Sequence, residues 1–451
     1  MLFSLKQVYS AQSQMAANSE MKVFISNAAH KKWQLALVIL TCAAAAAGAQ
    51  IPPQPAGGAA SQAATPTPAG KRLTLQDAFA KADQQNLDLA AARLKRAVAL
   101  AGIIIAGQRP NPSVSFSATR DAPHESLFFD QPLELGSKRS SRISEANQEV
   151  ALSDVEISAA ARHLRREVRD AFFAAALASG LTGQQKLLVD LAQKLRDIAK
   201  SRFDAGDVPQ LEVMQADLEL SRAQADYEVA RQEEKVAFSR LSTLLNEPAS
   251  TNWELITPLD TAPPQVALQD LIARASDANP DLQHLAKEAL VEQAREKIFR
   301  SERVPDVTAE FGADFNAPGD YRIGARGQLT VGLPIFSRYQ GELAQSSATQ
   351  KMIEGEILAT RRSVSGDVEA AYNELVARQT EVDLYRRTVI PAGRKLESLA
   401  EDSYGAGRTS ILAVLDAQRS VQLNEHDYLQ SLFELQQAFA VLEEIVGAAL
   451  D

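Results

Sequence analysis

From Tyr321 to Leu333 every odd position is apolar or small (Tyr321, Ile323, Ala325, Gly327, Leu329, Val331, Leu333), while the even positions are Arg322, Gly324, Arg326, Gln328, Thr330 and Gly332. Period-two alternation over this length predicts a β-strand with one apolar face. The preceding stretch, 306–315, alternates in the same way through Val307, Ala309, Phe311, Ala313 and Phe315, and Asn316-Ala-Pro-Gly-Asp320 supplies the turn. A tilted transmembrane strand needs roughly 9–11 residues, and both runs are long enough. A soluble hairpin with one solvated face would show the same alternation, so the rest of the chain has to decide.

Most of the chain is written twice. Leu73-Thr-Leu-Gln-Asp-Ala78 returns as Val266-Ala-Leu-Gln-Asp-Leu271, and Asn86-Leu-Asp-Leu89 as Asn279-Pro-Asp-Leu282, both 193 residues apart. Phe203-Asp-Ala-Gly206 returns as Tyr404-Gly-Ala-Gly407, and Val213-Met-Gln-Ala216 as Val414-Leu-Asp-Ala417, now 201 apart. The second copy therefore carries an insertion, most simply in its longer hairpin. Each copy has a short helix, a break at an Asn-containing turn, a second helix ended by proline, a strand pair, one very long helix and a return helix. The first strand pair is less regular: Val114, Phe116 and Ala118 alternate with serines, the return strand carries Leu127, Phe129 and Leu133, and Pro123 and Pro132 bound it.

The long helices are expected over about 137–203 and 339–404, each a rod of roughly 100 Å at 1.5 Å per residue. Gly206 and Gly407 are their C-terminal caps. Near the first tip, Leu188, Leu191, Leu195 and Ile198 on one limb and Leu211, Met214 and Leu218 on the other repeat in steps of three and four, as along a coiled-coil seam.

The N-terminus reads as a leader. A basic segment and the apolar run from Trp33 to Ala47 precede Ala47-Gly48-Ala49, which fits a small-x-small cleavage site. Met21 is an alternative start, and Cys42 an alternative lipidation site if it is not removed with the signal peptide. The expected organisation is leader and signal peptide 1–49, a Pro/Ala/Gly-rich tether 50–72, a first repeat 73–248 (strands about 112–133), a linker 249–265 and a second repeat 266–447 (strands about 306–334).

Composition narrows this picture. The 451 residues are 45% hydrophobic but only 6% aromatic, as in long packed helices, and a net charge of -10 argues against nucleic-acid binding. No apolar run of helix-spanning length follows the leader, so membrane insertion would have to be by strands. Four strands cannot close a barrel in lipid, where open edges leave backbone groups unpaired. A dimer would supply eight strands and a trimer twelve, and continuing the rods below the barrel around a lumen favours the trimer.

These parts, together with Gly407-Arg-Thr-Ser-Ile-Leu-Ala-Val-Leu-Asp416-Ala-Gln at the second tip, resemble the TolC-like outer-membrane efflux channels. Asp130-Gln-Pro-Leu-Glu-Leu-Gly-Ser-Lys-Arg139, followed by Arg142, Ile143 and Ala146, resembles the entry to the long helix in the cobalt-zinc-cadmium (CzcC-like) branch. The resemblance spans about 73–447. It implies a mainly α fold with a membrane β-barrel: a homotrimer with a periplasmic α-helical tunnel and a 12-strand barrel, four strands per chain, in the lipid of the outer membrane. It implies a periplasmic adaptor and an inner-membrane pump of resistance-nodulation-division type as partners, with divalent heavy-metal cations as cargo. A channel for drugs or for type I secretion on the same scaffold is the alternative. A periplasmic coiled-coil adaptor would show one helical hairpin where this chain has two.

No catalytic constellation is present, and no cofactor is expected. His163 and Glu167 lie one helical turn apart without a third ligand nearby in sequence. In the family a tyrosine and an arginine of the second tip reach an acid of the first and hold the tunnel closed. Tyr404 matches the tyrosine and Glu212 the acid; Thr409 stands at the arginine position, with Arg408 one residue earlier. Asp416 matches one position of an acidic ring, while Ala413 occupies the other. The turns at Gly206 and Gly407 are the expected adaptor contacts.

Overall fold

The computed structural model describes residues 70–317 and 319–450; the expectations for the leader, Met21, Cys42 and the tether up to residue 69 lie outside these. The described chain is two similar halves. In the first, β1 (Lys71–Leu73) leads into α1 (Leu75–Gln85), α2 (Leu87–Ala106), β2 (Ser113–Ala118), β3 (Glu125–Leu133), α3 (Lys138–Asp204) and α4 (Gln210–Leu244). In the second, β4 (Trp253–Leu255) leads into α5 (Leu268–Ala278), α6 (Pro280–Glu302), β5 (Val307–Ala317), β6 (Tyr321–Val331), α7 (Gln340–Leu384), a π-helical turn (Tyr385–Val389), α8 (Ile390–Gly405) and α9 (Ile411–Val446). Strands β1 and β4 pair in parallel, so the end of the expected tether and part of the expected linker are structured and bind the halves together.

The duplication reaches hydrogen-bond detail. Asn86 caps α2 by accepting from the Leu89 N–H at 2.9 Å, and its Nδ2 donates to the Leu244 carbonyl at 3.1 Å. Asn279 caps α6 by accepting from the Asp281 and Leu282 N–H groups, and its Nδ2 donates to the Ile445 carbonyl at 2.8 Å. One buried side chain in each half thus satisfies an orphan helix N-terminus and ties it to the end of the return helix. Each return helix then turns through a left-handed residue, Asn246 (φ 52°) in the first half and Gly447 (φ 76°) in the second. Two cores flank this belt, one around Phe172, Phe173, Leu241 and Leu245 and one around Val368, Leu435, Phe439 and Leu442.

One expectation is refined and one corrected. The second rod is helical from Gln340 to Gly405, as expected, but a π-turn interrupts its α-helical bonding. Pro391 has no N–H, and its ring clashes with the carbonyl one turn back; the turn at Tyr385–Val389 absorbs this by bonding Ile390 N–H to the Tyr385 carbonyl, five residues away. The apolar seam is also different. Leu211, Met214 and Leu218 face outward on α4, and Leu195 and Ala199 of α3 pack instead with Ala216 of α4 and with α8 and α9. Because α3 contacts both α4 and α9, the stripe it buries is set by both neighbours, and three-four spacing alone does not choose between stripes.

All four sheet strands are antiparallel in the order β2-β3-β5-β6, leaving β2 and β6 as open edges. Strand β2 is only six residues long, shorter than the spanning length expected for it. Among the described residues no helix is long and apolar enough to cross a membrane.

Candidate gate at the helical tips and the two faces of the sheet

Both tips end in the same glycine-dependent turn. Gly206 N–H donates to the Phe203 carbonyl and Asp207 N–H to the Arg202 carbonyl, each at 2.9 Å; Gly407 N–H donates to Tyr404 and Arg408 N–H to Ser403, again at 2.9 Å. Both glycines have positive φ, the conformation this cap requires.

The turns bring the two hairpins of one chain together through Tyr404. Its side chain is 1% exposed and packs with Leu195, Ala199, Ala216, Ile411, Val414 and Leu415, drawn from three other helices. Glu212, in the first turn of α4, sits close enough that burial and then this carboxylate push the phenol above its ordinary pKa. Neither the Tyr404 hydroxyl nor Glu212 Oε2 makes a hydrogen bond of good geometry. The cation at this contact is Arg202 of α3, whose guanidinium carbon lies 5.0 Å from the Tyr404 ring centroid. Arg408 is exposed and makes no ion pair among the described residues, so the tip arginine comes from the first hairpin and not the second. The sequence signal for Arg202 was its position four residues before a cap glycine, which puts it in the last helical turn beside the opposite tip. Asp416, the residue after Leu415 of this cluster, is exposed on α9, and Arg419 one turn later reaches Glu219 of α4 at 3.5 Å.

A second polar cluster lies higher, where α3 meets the end of α9. Arg165 and Arg169 bond Glu443 at 3.0 Å each, and Arg166 and His163 bond Glu444. The expected His163–Glu167 pair is present at 3.5 Å, alongside the shorter His163–Glu444 contact of 2.9 Å. Burial alone would raise the Glu444 carboxyl, but the bonds from His163 and Arg166 outweigh it and hold it low. Asp170 has the opposite fate: burial dominates over Arg166 and pushes it up to about 6. A carboxyl whose folded pKa lies above its unfolded value is penalised once it ionises, so stability falls as pH rises from about 4 through about 6. Asp170→Asn is expected to be neutral near pH 4 and to stabilise by about 1–2 kcal/mol above pH 7, after discounting for partial exposure. Denaturant midpoints of the two proteins across this range check the sign. Among the described residues no group of His, Cys, Asp and Glu could hold a metal ion.

The sheet sorts its side chains by face. In register across the strands lie Val114–Phe129–Phe311–Gly327 and Phe116–Leu127–Ala313–Ala325 on one face. The large members of this face, with Ile323, Leu329 and Val331, are between 43% and 70% exposed. The other face carries Asp130, Glu310 and Gln328 in one row and Ser126, Asp314 and Gly324 in another. Ser126 donates to Asp314 at 2.7 Å, and the Arg326 guanidinium lies 5.6 Å from the centroid of Phe128, the one aromatic ring on this side. Gly312 leaves room for that ring, since a Cβ there would fall 2.2 Å from it.

An exposed apolar sheet face is thus backed by a charged one and joined to two long helical hairpins. Residues 79–247 and 271–448 match the family described as outer membrane efflux protein. The chain belongs to that family. Its members are channels and not enzymes, and the resemblance read from the sequence is borne out. The chain is 28% identical over 392 residues to the cobalt-zinc-cadmium resistance protein CzcC of Cupriavidus metallidurans, covering 85% of this chain and 92% of that protein. The fold is similar to that of the transmembrane channel protein CusC (TM-score 0.67, 16% identity, 83% of this chain and 92% of that one). It is similar also to the Campylobacter jejuni CmeC outer membrane channel (TM-score 0.67, 15% identity, 83% and 85%).

Proposed function

We propose that this outer membrane efflux protein works as a trimer in which β6 of each copy pairs with β2 of the next, closing twelve strands around a lumen that continues between the helices. The observation that carries this is the apolar face shared by all four strands of an open-edged sheet. Strands β5 and β6 have 11 residues each. They span about 36 Å, and at a tilt near 45° about 25 Å along the membrane normal, the height of the apolar band of outer-membrane barrels. Direction agrees as well: β6 and the β2 of a neighbour would run antiparallel. Pairing those edges satisfies the backbone groups that lipid cannot.

In this reading the helices form a periplasmic tunnel whose tips meet a periplasmic adaptor, and an inner-membrane pump of resistance-nodulation-division type supplies the energy. The cargo is divalent heavy-metal cations, a reading supported by the likeness to CzcC over nearly the whole length of both proteins. The acidic rows of the polar sheet face and three copies of Asp416 on the axis would give the conduit the matching sign. In detergent the protein is expected to run at three times its chain mass. Deleting its gene in the host is expected to raise sensitivity to zinc, cobalt or cadmium more than to lipophilic drugs. A stable water-soluble monomer would overturn the barrel, and the reverse order of sensitivities would move the cargo to drugs.

A further inference from the structure

The chain crosses between sheet and helices four times, at 107–112, 134–137, 303–306 and 332–339. These crossings and the adjoining end of β3 carry apolar side chains that the other described residues leave partly or largely open: Leu133, Leu135, Leu333, Ile335 and, at 93% exposure, Phe336. The last crossing holds Phe336 outward in a defined turn. Ile335 N–H donates to the Leu333 carbonyl at 2.9 Å, Gln340 Nε2 to the Phe336 carbonyl at 3.2 Å, and Arg338 N–H to Gln340 Oε1 at 2.6 Å. Tyr339 closes it with φ 56°, a left-handed conformation that a bulky residue adopts only when its surroundings demand it. An aromatic ring fixed in this position has no cover among the described residues.

The charges at the same level indicate which. Arg109, Arg303 and Arg338 are exposed and make no ion pair among the described residues. The acids on the crossings and at the end of α6 are already engaged: Glu302 and Asp306 bond the buried Lys138 at 3.3 and 2.7 Å, and Glu134 bonds Arg142. Directly beside this level begins the apolar sheet face. Apolar and aromatic side chains at the edge of a hydrocarbon band, with guanidinium groups just beyond, match the layering of a lipid leaflet from acyl chain to phosphate.

We propose that this collar seats anionic glycerophospholipids of the periplasmic leaflet, with Phe336 and Ile335 among the upper acyl carbons and Arg109, Arg303 and Arg338 on the headgroup phosphates. The proposal rests on the membrane reading of the sheet, and the experiment separates the two. Phe336→Trp and, at mid-sheet, Leu329→Trp are placed in vesicles of phosphatidylcholine containing brominated phosphatidylcholine or brominated phosphatidylglycerol at equal mole fraction. With Trp33, the other tryptophan of the sequence, replaced by Phe throughout, Trp253, buried and bonded to Ser242, serves as the shared unquenched background. Both new tryptophans are expected to be quenched, and at Phe336→Trp the anionic lipid is expected to quench about twofold more effectively or better. Adding Arg109→Gln, Arg303→Gln and Arg338→Gln to that variant is expected to erase the preference while quenching persists. Quenching at Leu329→Trp without quenching at Phe336→Trp would mean that another protein surface covers the ring, and the collar would be wrong while the membrane reading stood. Equal quenching by the two lipids would overturn the phosphate assignment. No quenching at Leu329→Trp would overturn both.

Discussion

Tyr404→Ala is expected to raise single-channel conductance in planar bilayers by about tenfold, whereas Tyr404→Phe stays near the wild-type level. The distinction follows from the geometry. The Tyr404 hydroxyl makes no well-formed hydrogen bond, so deleting it removes little, while the ring fills a core shared by α3, α4, α8 and α9. Truncating a fully buried aromatic ring forfeits roughly 3–5 kcal/mol of packing. A bias of about 1.4 kcal/mol between closed and open tips already shifts their ratio tenfold, so even a fraction of that loss suffices if the contact is made mainly in the closed state. Arg202→Gln, which removes the cation beside the ring, is expected to have a smaller effect in the same direction. Asp416→Ala is expected to act on selectivity alone, weakening the preference for cations, because its carboxylate is exposed and outside the cluster. Unchanged conductance in Tyr404→Ala, with Asp416→Ala also silent, would place the constriction elsewhere along the tunnel.

Gly447→Ala is expected to destabilise the assembled protein by about 3 kcal/mol or more, while Gly206→Ala costs about 1 kcal/mol. Both glycines have positive φ, so the backbone penalty is similar. What differs is space. A Cβ at Gly206 meets nothing within 4 Å, but at Gly447 it would fall 2.2 Å from the Ala278 carbonyl oxygen and 3.1 Å from the Asn279 Cα. Neither atom can move aside, since Asn279 caps α6 and holds the end of α9 at once. The midpoint of denaturant unfolding for the two variants against the parent checks the order. Equal midpoints would show that the α5–α6 break yields more readily than its hydrogen bonds imply.

The features legible in the sequence were those with a local cause. Strand alternation around Phe311 and Leu329, the capping asparagines Asn86 and Asn279, the cap glycines at both tips and the 193- and 201-residue echoes each follow from a rule that acts over a few residues. Glu212 and Tyr404 were named from the family resemblance, counted from the cap glycines; the structure places them close together, and their role as a gate is a proposal. Features that depend on which helix lies beside which were not. The outward turn of Leu211, Met214 and Leu218 depends on α9 competing with α4 for the surface of α3, which no periodicity records. Arg202 stands in the sequence as a cation at a helix end, and its contact with the Tyr404 ring depends on the second hairpin lying beside the first. The π-turn in the second rod is a different case: a single residue inserted into a long helix leaves no mark in its hydrophobic periodicity, although Pro391 stands just beyond it.

That π-turn makes the two halves mechanically unlike. Strand for strand and helix for helix they repeat, and three copies would give a tunnel wall with nearly sixfold regularity. Yet α3 runs unbroken for 67 residues, while its counterpart is jointed at Tyr385–Val389. A π-turn inserts an extra residue into the helical ladder, which weakens the local bonding and rotates everything beyond it by about 100°. The wall would then be built of alternating stiff and compliant staves, and any widening at the narrow end would begin with the three that carry Tyr404 and the second tip.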